Sequence, residues 1–274
     1  MKRLLTFGIR IAIALLVLFL SIHAVRYIHA QSLCRKIATG NEIHTLAGDL
    51  TTAPVWFDGI YAILQGEGVK IPLVEACYYR NTQAVSELLE NGANPNFYIK
   101  GRMTPIEAVL WNSPAGPIDE KSLTILEMLI DAGADVNLHA SDISPIDQVA
   151  SLMLPNSDIR ESVLLLLLDN GAVDDPCESE HILHNVIRSG NVDLTHKLIS
   201  DYGFGANSIG HQGQTPLILA VYYGQYNNGA SAIPDMITML LACGADRYAV
   251  DDFGKSAFDY AVLYGYGDIV DYLR

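Results

Sequence analysis

A cluster of potential metal ligands lies between residues 177 and 184 of the sequence. Its members are Cys177, Glu178, Glu180, His181 and His184. Thiolate, carboxylate and imidazole groups are the ligands that zinc binds in proteins, and the two histidines would share one face of a helix. The sequence identifies neither a fourth ligand nor hydrogen-bond partners for the histidines. We therefore predict no metal or cofactor, and we keep a metal-binding or enzymatic role for Cys177, His181 and His184 as an alternative.

The other residues that could do chemistry are carboxylates, and their pattern does not indicate an active site. Asp251 and Asp252 are adjacent, as in a carboxylate pair. Most other Asp and Glu residues fall at helix starts and in turns, where their side chains bind nearby backbone groups. The sequence has no Gly-rich phosphate loop, no His-Glu-x-x-His motif and no nucleophile elbow. These patterns predict no catalytic residue and a protein that is not an enzyme.

The helices that must position these residues begin with a phrase that recurs along the chain. In its clearest copy, Thr215 is a good N-cap, Pro216 is tolerated in the first helical turn, and Gly224 ends the helix. The residues between them form an apolar face with small side chains. Copies at steps of 33, 40, 37, 34 and 41 residues begin at Ile71, Thr104, Ser144, His181, Thr215 and Ser256.

A second phrase, which ends a helix with glycine, keeps step with the first. Its copies are Leu88–Asn94, Leu129–Asp135, Leu167–Ala172 and Leu240–Asp246, with a weaker copy at Gly205-Ala206-Asn207. Glycine suits this position because it enters the left-handed conformation without strain. Two phrases that recur together predict an array of repeats, each made of two helices and a turn.

This combination resembles the ankyrin repeat, whose typical motifs are Thr-Pro-Leu-His-x-Ala and Gly-Ala-Asp-Val-Asn. The stretch 133–137 matches the second motif at every position, and the resemblance covers about residues 68–274. It implies an all-α solenoid of about six helix–turn–helix repeats joined by hairpin turns. It also implies structural roles for Asp251 and Gly254, in a hairpin turn, and for His184, at the position of the motif histidine.

The resemblance also implies where a partner would bind. In ankyrin repeats, two residues near the end of each first helix face a concave groove, and the hairpin tips line it. Here these pairs are Tyr78-Tyr79, Trp111-Asn112, Ser151-Leu152, Arg188-Ser189, Tyr222-Tyr223 and Leu263-Tyr264. Four of the six pairs carry an aromatic residue, and Tyr, Trp and Arg dominate the energetic hot spots of interfaces.

We therefore predict a partner-binding surface with two parts. The first-helix part is Tyr78, Tyr79, Trp111, Arg188, Tyr222, Tyr223 and Tyr264. The hairpin-tip part is Tyr98, Lys100, Arg102, His139, Ser141, His211, Gln212, Asp252 and Phe253. The alternative is that the rings pack on neighbouring first helices and have no partner.

The charge of the chain restricts the class of partner. The 274 residues carry a net charge of −14, but residues 1–36 contain six basic and no acidic side chains, so the remainder has a balance of −20. An acidic body repels the phosphates of nucleic acid and of anionic lipid. We expect a partner protein with a basic patch, because opposite charge speeds the encounter.

The first thirty residues read as a membrane anchor. Lys2 and Arg3 precede an apolar run whose uncharged part, residues 11–25, is shorter than the ~20 residues of a spanning helix and reaches spanning length only with Arg10 at the interface. A signal-peptide cleavage site is poorly formed. We predict an uncleaved anchor at residues 1–30, a linker and N-terminal cap at 31–67, and the repeat domain at 68–274. The alternative is secretion after cleavage.

Positive residues before the anchor place the repeats outside the cytoplasm, in the periplasm if the organism is bacterial. The predicted function is that of a membrane-tethered, monomeric adaptor or scaffold that binds another protein. A dedicated inhibitor or immunity-type protein, which binds a toxin or hydrolase, is a second hypothesis.

Overall fold

The computed structural model describes residues 71–98, 102–111, 116–151, 158–174, 182–224 and 232–274, with isolated positions between residues 17 and 38. Within these ranges the regular structure is mainly helical, and an antiparallel bridge joins Val250 to Ser256. The predicted anchor at 1–30 and the predicted linker and cap at 31–67 lie outside the described residues, apart from those isolated positions. The division of the chain at these boundaries stays a prediction.

Twelve helices are present in the described ranges. They are α1 (Pro72–Tyr78), α2 (Thr82–Glu90), α3 (Pro105–Leu110), α4 (Glu120–Asp131), α5 (Pro145–Ser151), α6 (Asp158–Asp169), α7 (Ile182–Ser189), α8 (Val192–Ser200), α9 (Pro216–Tyr223), α10 (Ala232–Ala242), α11 (Ala257–Leu263) and α12 (Gly267–Leu273). They form six successive pairs of a first and a second helix, as the two recurring phrases predict.

The chain divides into two compact units, Met1–Ser141 and Asp142–Arg274. In the first unit, α1 packs on α2 and α3, and α4 packs on α2 and α3. In the second unit, the first helices α5, α7, α9 and α11 pack side by side, and the second helices α8, α10 and α12 form another layer. Each unit therefore buries its apolar residues between two layers of helices.

Local hydrogen bonds explain where the helices begin. The side chain of Thr104 accepts from the backbone N–H of Glu107, and the Glu107 carboxylate accepts in return from the N–H of Thr104. Asp119 and Ser256 form the same reciprocal capping box, at α4 and α11. Such boxes satisfy backbone donors that the first helical turn leaves free. The helix starts predicted from the Thr-Pro phrases are confirmed.

Glycines in the left-handed conformation close four of the second helices. Their φ angles lie between 83° and 88°, at Gly92, Gly133, Gly171 and Gly244. In each case the N–H of the following alanine donates to a helical carbonyl five residues earlier, over 2.9–3.0 Å. This arrangement satisfies carbonyls that the helix end would otherwise leave without a donor.

The fourth repeat closes in a different register from the predicted one. The left-handed glycine is Gly203, with φ 74°, and the N–H of Phe204 donates to the carbonyl of Leu198. The N–H of Ser208 then donates to the carbonyl of Gly205, as Leu138 does to Asp135 in the second repeat. The predicted copy Gly205-Ala206-Asn207 was therefore wrong by two residues, because the motif is Gly203–Asn207, with Gly205 at the Asp position.

Gly205 leaves this turn without a hydrogen bond that three other repeats make. At the equivalent positions Asn94, Asp135 and Asp246, a side-chain oxygen accepts from the N–H two residues later, at 2.9 Å. Gly205 is outside the left-handed region, and an added Cβ would meet its nearest atoms at 3.7 and 3.9 Å, an ordinary contact distance. The fourth turn therefore has room for the missing side chain.

We expect Gly205→Asp to stabilise the protein by about 1 kcal/mol, because it adds this turn hydrogen bond and removes conformational freedom from the unfolded chain. Urea unfolding of the full chain in mild detergent measures the change. Gly203→Asp is the matched control, and we expect it to destabilise because its φ of 74° strains any residue with a Cβ. A fall in stability for both variants would refute the register described here.

Candidate functional site

Four of the predicted partner-binding residues come together in the second unit. Arg188 lies at the end of α7, Tyr222 and Tyr223 at the end of α9, and Tyr264 caps α11. All four are half-buried. The ring centroid of Tyr222 lies 5.1 Å from that of Tyr223 and 6.0 Å from that of Tyr264, both in edge-to-face contact, and the Arg188 guanidinium lies 5.1 Å from the centroid of Tyr223.

Two further tyrosines, which the sequence analysis missed, complete this group. Tyr260 is 5% exposed; its ring stacks on Tyr264 at 6.0 Å and meets Tyr222 edge-on at 5.5 Å. Tyr266 lies 5.9 Å from Tyr264. The pattern of Tyr260, Tyr264 and Tyr266 in one helix and its exit was the available signal. We call the set Arg188, Tyr222, Tyr223, Tyr260, Tyr264 and Tyr266 the tyrosine cluster.

The cluster contains features of both predicted alternatives. Its rings pack on one another and on the neighbouring first helix, as the alternative without a partner requires. Three of the predicted tyrosines nevertheless keep part of their surface in solvent. Edge-to-face contacts at these distances favour one arrangement of the rings, by about 0.5–1.5 kcal/mol per pair. The half-exposed rings are therefore held in place before any partner arrives.

Asp251 connects the cluster to the adjacent hairpin. One carboxylate oxygen accepts the backbone N–H groups of Phe253 and Lys255, at 2.9 and 3.0 Å, and the other accepts the Tyr260 hydroxyl at 2.6 Å. Burial raises the pKa of Tyr260, and the hydrogen bond and charge of Asp251 raise it further. The structural role expected for Asp251 is confirmed, because its oxygens serve the turn and the tyrosine.

The predicted hairpin-tip residues of this unit are exposed and lie on two linked hairpins. His211, Gln212, Asp252 and Phe253 are all exposed, Phe253 by 62%. The N–H of Asp252 donates to the carbonyl of Gln212 over 3.0 Å. The Asn207 side chain adds a second link, since it donates to the carbonyl of Gly244 and accepts from the N–H of Asp246.

The sequence analysis missed three exposed apolar residues on the same hairpins. They are Ile209, Tyr248 and Val250, and each is more than half exposed. Apolar side chains in a turn region were the signal for them, because polar residues usually occupy such positions. Together with Phe253 they give the linked hairpins an apolar surface.

The first unit contains the remaining predicted residues of the surface. The rings of Tyr78 and Tyr79 are half-buried and 5.2 Å apart, edge to face. Trp111 caps α3 and is 46% exposed. Tyr98 and Arg102, in the first hairpin, are half-buried, whereas His139 and Ser141 are exposed. Lys100 lies outside the described residues.

Arg80, which follows Tyr79 in the sequence, is a buried cation that the sequence analysis did not single out. Its guanidinium donates to the carbonyl of Pro117 and lies 3.7 Å from the Asp119 carboxylate. Burial lowers its pKa, and Asp119 opposes that shift. Arg80 has φ 50°, at the position where Gly190 and Gly265 have similar angles in later repeats. Arg80 therefore ties the end of α1 to the segment that leads into α4.

The described residues contain no group of three or more potential metal ligands. Of the predicted cluster, Cys177, Glu178, Glu180 and His181 lie outside these residues, so the structure describes only His184. That ring is buried and fits against Gly210 of the next hairpin, where an added Cβ would lie 2.9 Å from its nearest atoms. His184 therefore packs on the hairpin, in agreement with the role expected from the motif.

The structure describes three of the four cysteines. Cys34 and Cys77 are buried, and Cys243 is half-buried. Burial raises the pKa of Cys77, which keeps its thiol protonated and unreactive. Among the described residues, no helix has the length and apolar character that crossing a membrane requires.

Comparison with known proteins supports the repeat assignment. The ankyrin repeat model matches residues 70–99 and 212–252. The human transient receptor potential cation channel subfamily A member 1 is 26% identical over an alignment of 243 residues, and the match covers 74% of this chain. The chain spans only about a fifth of the length of that channel.

Two crystal structures have the same fold. The ankyrin repeat protein EF0377 matches with a TM-score of 0.60 and 25% identity, over 75% of this chain and 98% of its own. An ankyrin repeat domain from Acinetobacter baumannii AYE matches with a TM-score of 0.60 and 23% identity, over 74% and 95% of the two chains. Ankyrin repeats generally bind other proteins, and the fold described here is consistent with that role. The chain therefore carries ankyrin repeats, and its described helices have the ankyrin-repeat fold.

Proposed function

We propose that this protein is a membrane-tethered adaptor that binds another protein through the tyrosine cluster and the linked hairpins beside it. The half-exposed, mutually packed tyrosines carry the proposal. Tyrosine buries a large area on binding and has few rotatable bonds, so little conformational entropy is lost. Because neighbouring rings already hold Tyr222, Tyr223 and Tyr264, the loss on binding is smaller still.

The linked hairpins supply the second part of the proposed surface. Phe253 and its apolar neighbours Ile209, Tyr248 and Val250 are exposed next to polar tips. Apolar groups grouped on one part of a monomer surface are a feature of interaction sites. Asp251 holds Tyr260 and the hairpin in one arrangement, so the cluster and the hairpin would approach a partner together.

Charge supports a partner with a basic patch. The second unit contains 18 acidic and 6 basic side chains, a net charge of −12. A field of this sign attracts cationic surfaces and repels nucleic acid. The interaction would therefore weaken as salt is added, because salt screens charges on the protein surface.

The proposed tether is the apolar segment at residues 1–30, with the repeats outside the cytoplasm. Its support is in the sequence alone: Lys2, Arg3 and Arg10 lie at or before the apolar run, and basic residues flank spanning helices on the cytoplasmic side. A tethered protein should stay in the membrane fraction after an alkaline wash. Release by that wash would contradict the tether and leave the binding surface to be tested separately.

Affinity capture with the full chain tests the binding surface. The bait variant carries Tyr223→Ala and Phe253→Ala, two changes on the proposed surface. We expect at least a tenfold loss of a partner that the unchanged bait retains, since truncation of one hot-spot residue costs about 2 kcal/mol. Tyr272→Ala is the matched control, because Tyr272 is an exposed tyrosine on the second helix α12. Equal retention by all three baits would move the binding site away from the cluster.

A further inference from the structure

We infer that the partner's main contact group is an arginine, whose guanidinium takes the place of Arg188 on the ring of Tyr223. This inference rests on the proposed function and names the chemistry of its partner. The central observation is that the cluster already binds a guanidinium within the chain. Arg188 Cζ lies 5.1 Å from the centroid of Tyr223, inside the distance at which a cation is attracted to a ring face.

The geometry of the rings favours a flat cation stacked on the outside of the cluster. Neighbouring ring centroids within the cluster are 5.1–6.0 Å apart, which is direct contact between the rings. The ammonium group of Lys255 lies 5.4 Å from the centroid of Tyr260, on a different ring from the one that Arg188 contacts. A planar guanidinium stacks on a ring surface and keeps its N–H groups in the plane for other partners. Arginine fits this surface better than lysine does.

The acceptors for those N–H groups would be two carboxylates of the sixth repeat. Asp252 and Asp259 are exposed, and each is next in sequence to a residue of the Asp251–Tyr260 contact. Hydrogen bonds from the backbone and side chain of Ser256 lower the pKa of Asp259, so it is ionised at neutral pH. A forked guanidinium can bind a carboxylate through two parallel hydrogen bonds.

Arg188 occupies the position on the Tyr223 ring that the incoming arginine would take. Its guanidinium contacts the ring of Tyr223 and donates a 3.2 Å hydrogen bond to the side chain of Asn185. A partner arginine that stacks on Tyr223 must displace it, so removal of Arg188 should make binding easier. The loss of one positive charge would also favour a cationic ligand, and the test must separate these two effects.

The test is titration of the full chain in mild detergent with octa-arginine and with octa-lysine, which have equal charge. We expect octa-arginine to bind at least about fivefold more tightly, since the ring contact adds to the charge attraction. Arg188→Ala should tighten octa-arginine binding by more than Arg247→Ala, which removes the same charge from a hairpin outside the cluster. Tyr223→Leu should abolish the preference for arginine, and Tyr223→Phe should keep it.

Equal binding of the two peptides, equal effects of Arg188→Ala and Arg247→Ala, or the absence of binding would each overturn the inference. The proposed function would survive any of these results if the capture experiment still depends on Tyr223 and Phe253. It would fail only if capture is indifferent to those residues. The two experiments therefore distinguish failure of the arginine contact from failure of the binding surface.

Discussion

Replacement of Glu107 by alanine is expected to lower the free energy of unfolding by about 3 kcal/mol, because buried donors that lose their acceptor cost ~1–3 kcal/mol each. The Glu107 side chain is buried at the start of α3. One carboxylate oxygen accepts the N–H groups of Ala140 and Ser141 and the Ser141 hydroxyl, and the other accepts the N–H of Thr104 at 2.7 Å. The Glu107 side chain therefore both caps α3 and binds the hairpin that contains Ala140 and Ser141.

The same carboxylate should make stability depend on pH. Burial opposes ionisation of Glu107, but hydrogen bonds from Ser141, Thr104 and Ala140 outweigh it and hold the pKa below its usual value. The folded state therefore binds the proton less readily than the unfolded chain. The stabilisation by the ionised Glu107 carboxylate is complete above the unfolded pKa of about 4.3 and is lost as pH falls through the lower, folded pKa.

Urea unfolding of wild type and Glu107→Gln, between pH 7 and pH 3, measures this dependence. We expect the stability difference between the two to be constant near neutrality and to shrink below about pH 4.3, where Glu107 begins to be protonated in the unfolded wild-type chain but not yet in the folded one. Glu127→Ala is the control, because Glu127 is exposed on α4, and surface changes of this kind usually alter stability by less than ~0.5 kcal/mol. Equal losses for Glu107→Ala and Glu127→Ala would refute the bridging role of Glu107.

A second large effect is expected at Gly213, where the two linked hairpins are close together. An added Cβ would lie 2.5 Å from the Asp252 carboxylate and 2.8 Å from its backbone nitrogen. That nitrogen donates the hydrogen bond to Gln212, so it cannot move away without breaking the link between hairpins. Gly213 also has a left-handed φ of 74°. Gly213→Ala should therefore lower the free energy of unfolding by about 3 kcal/mol, through backbone strain and overpacking together.

The chain offers a matched control one repeat later. Gly254, like Gly213, lies two residues before a helix N-cap, and its φ is 70°, but an added Cβ would meet nothing within 4 Å. Gly254→Ala should therefore cost only the backbone strain, about 1 kcal/mol. Thermal unfolding of both variants measures the difference. Similar melting temperatures would mean that contact with Asp252 contributes nothing.

The sequence alone predicted the repeat array because the interactions that define it are local. A cap such as Thr104 acts on a residue three positions later, and a closing glycine such as Gly133 acts within five residues of the chain. The spacing of these residues along the chain was therefore enough to predict the repeats. The resemblance to ankyrin repeats singled out Tyr222 and Tyr223 at the end of a first helix, where the structure shows both to be half-buried.

The anchor at residues 1–30 and the location of the repeats outside the cytoplasm also come from the sequence, and they stay predictions. The potential metal-ligand cluster with Cys177 and His181 also stays a prediction, since neither residue is among those that the structure describes. For His184 the packing against Gly210 gives a structural reason for the residue. The metal-binding alternative now depends on the remaining members of the cluster.

Tertiary structure decided the contacts between repeats. Glu107 reaches Ala140 and Ser141, 33 and 34 residues away, and nothing in the local sequence distinguishes it from a simple capping glutamate. The true closing glycine of the fourth repeat, Gly203, became visible only from its hydrogen bonds. Tyr260 joins the cluster because α11 packs on α9. Such contacts depend on how neighbouring helices and hairpins stack, and that stacking is a property of the folded array that local spacing does not encode.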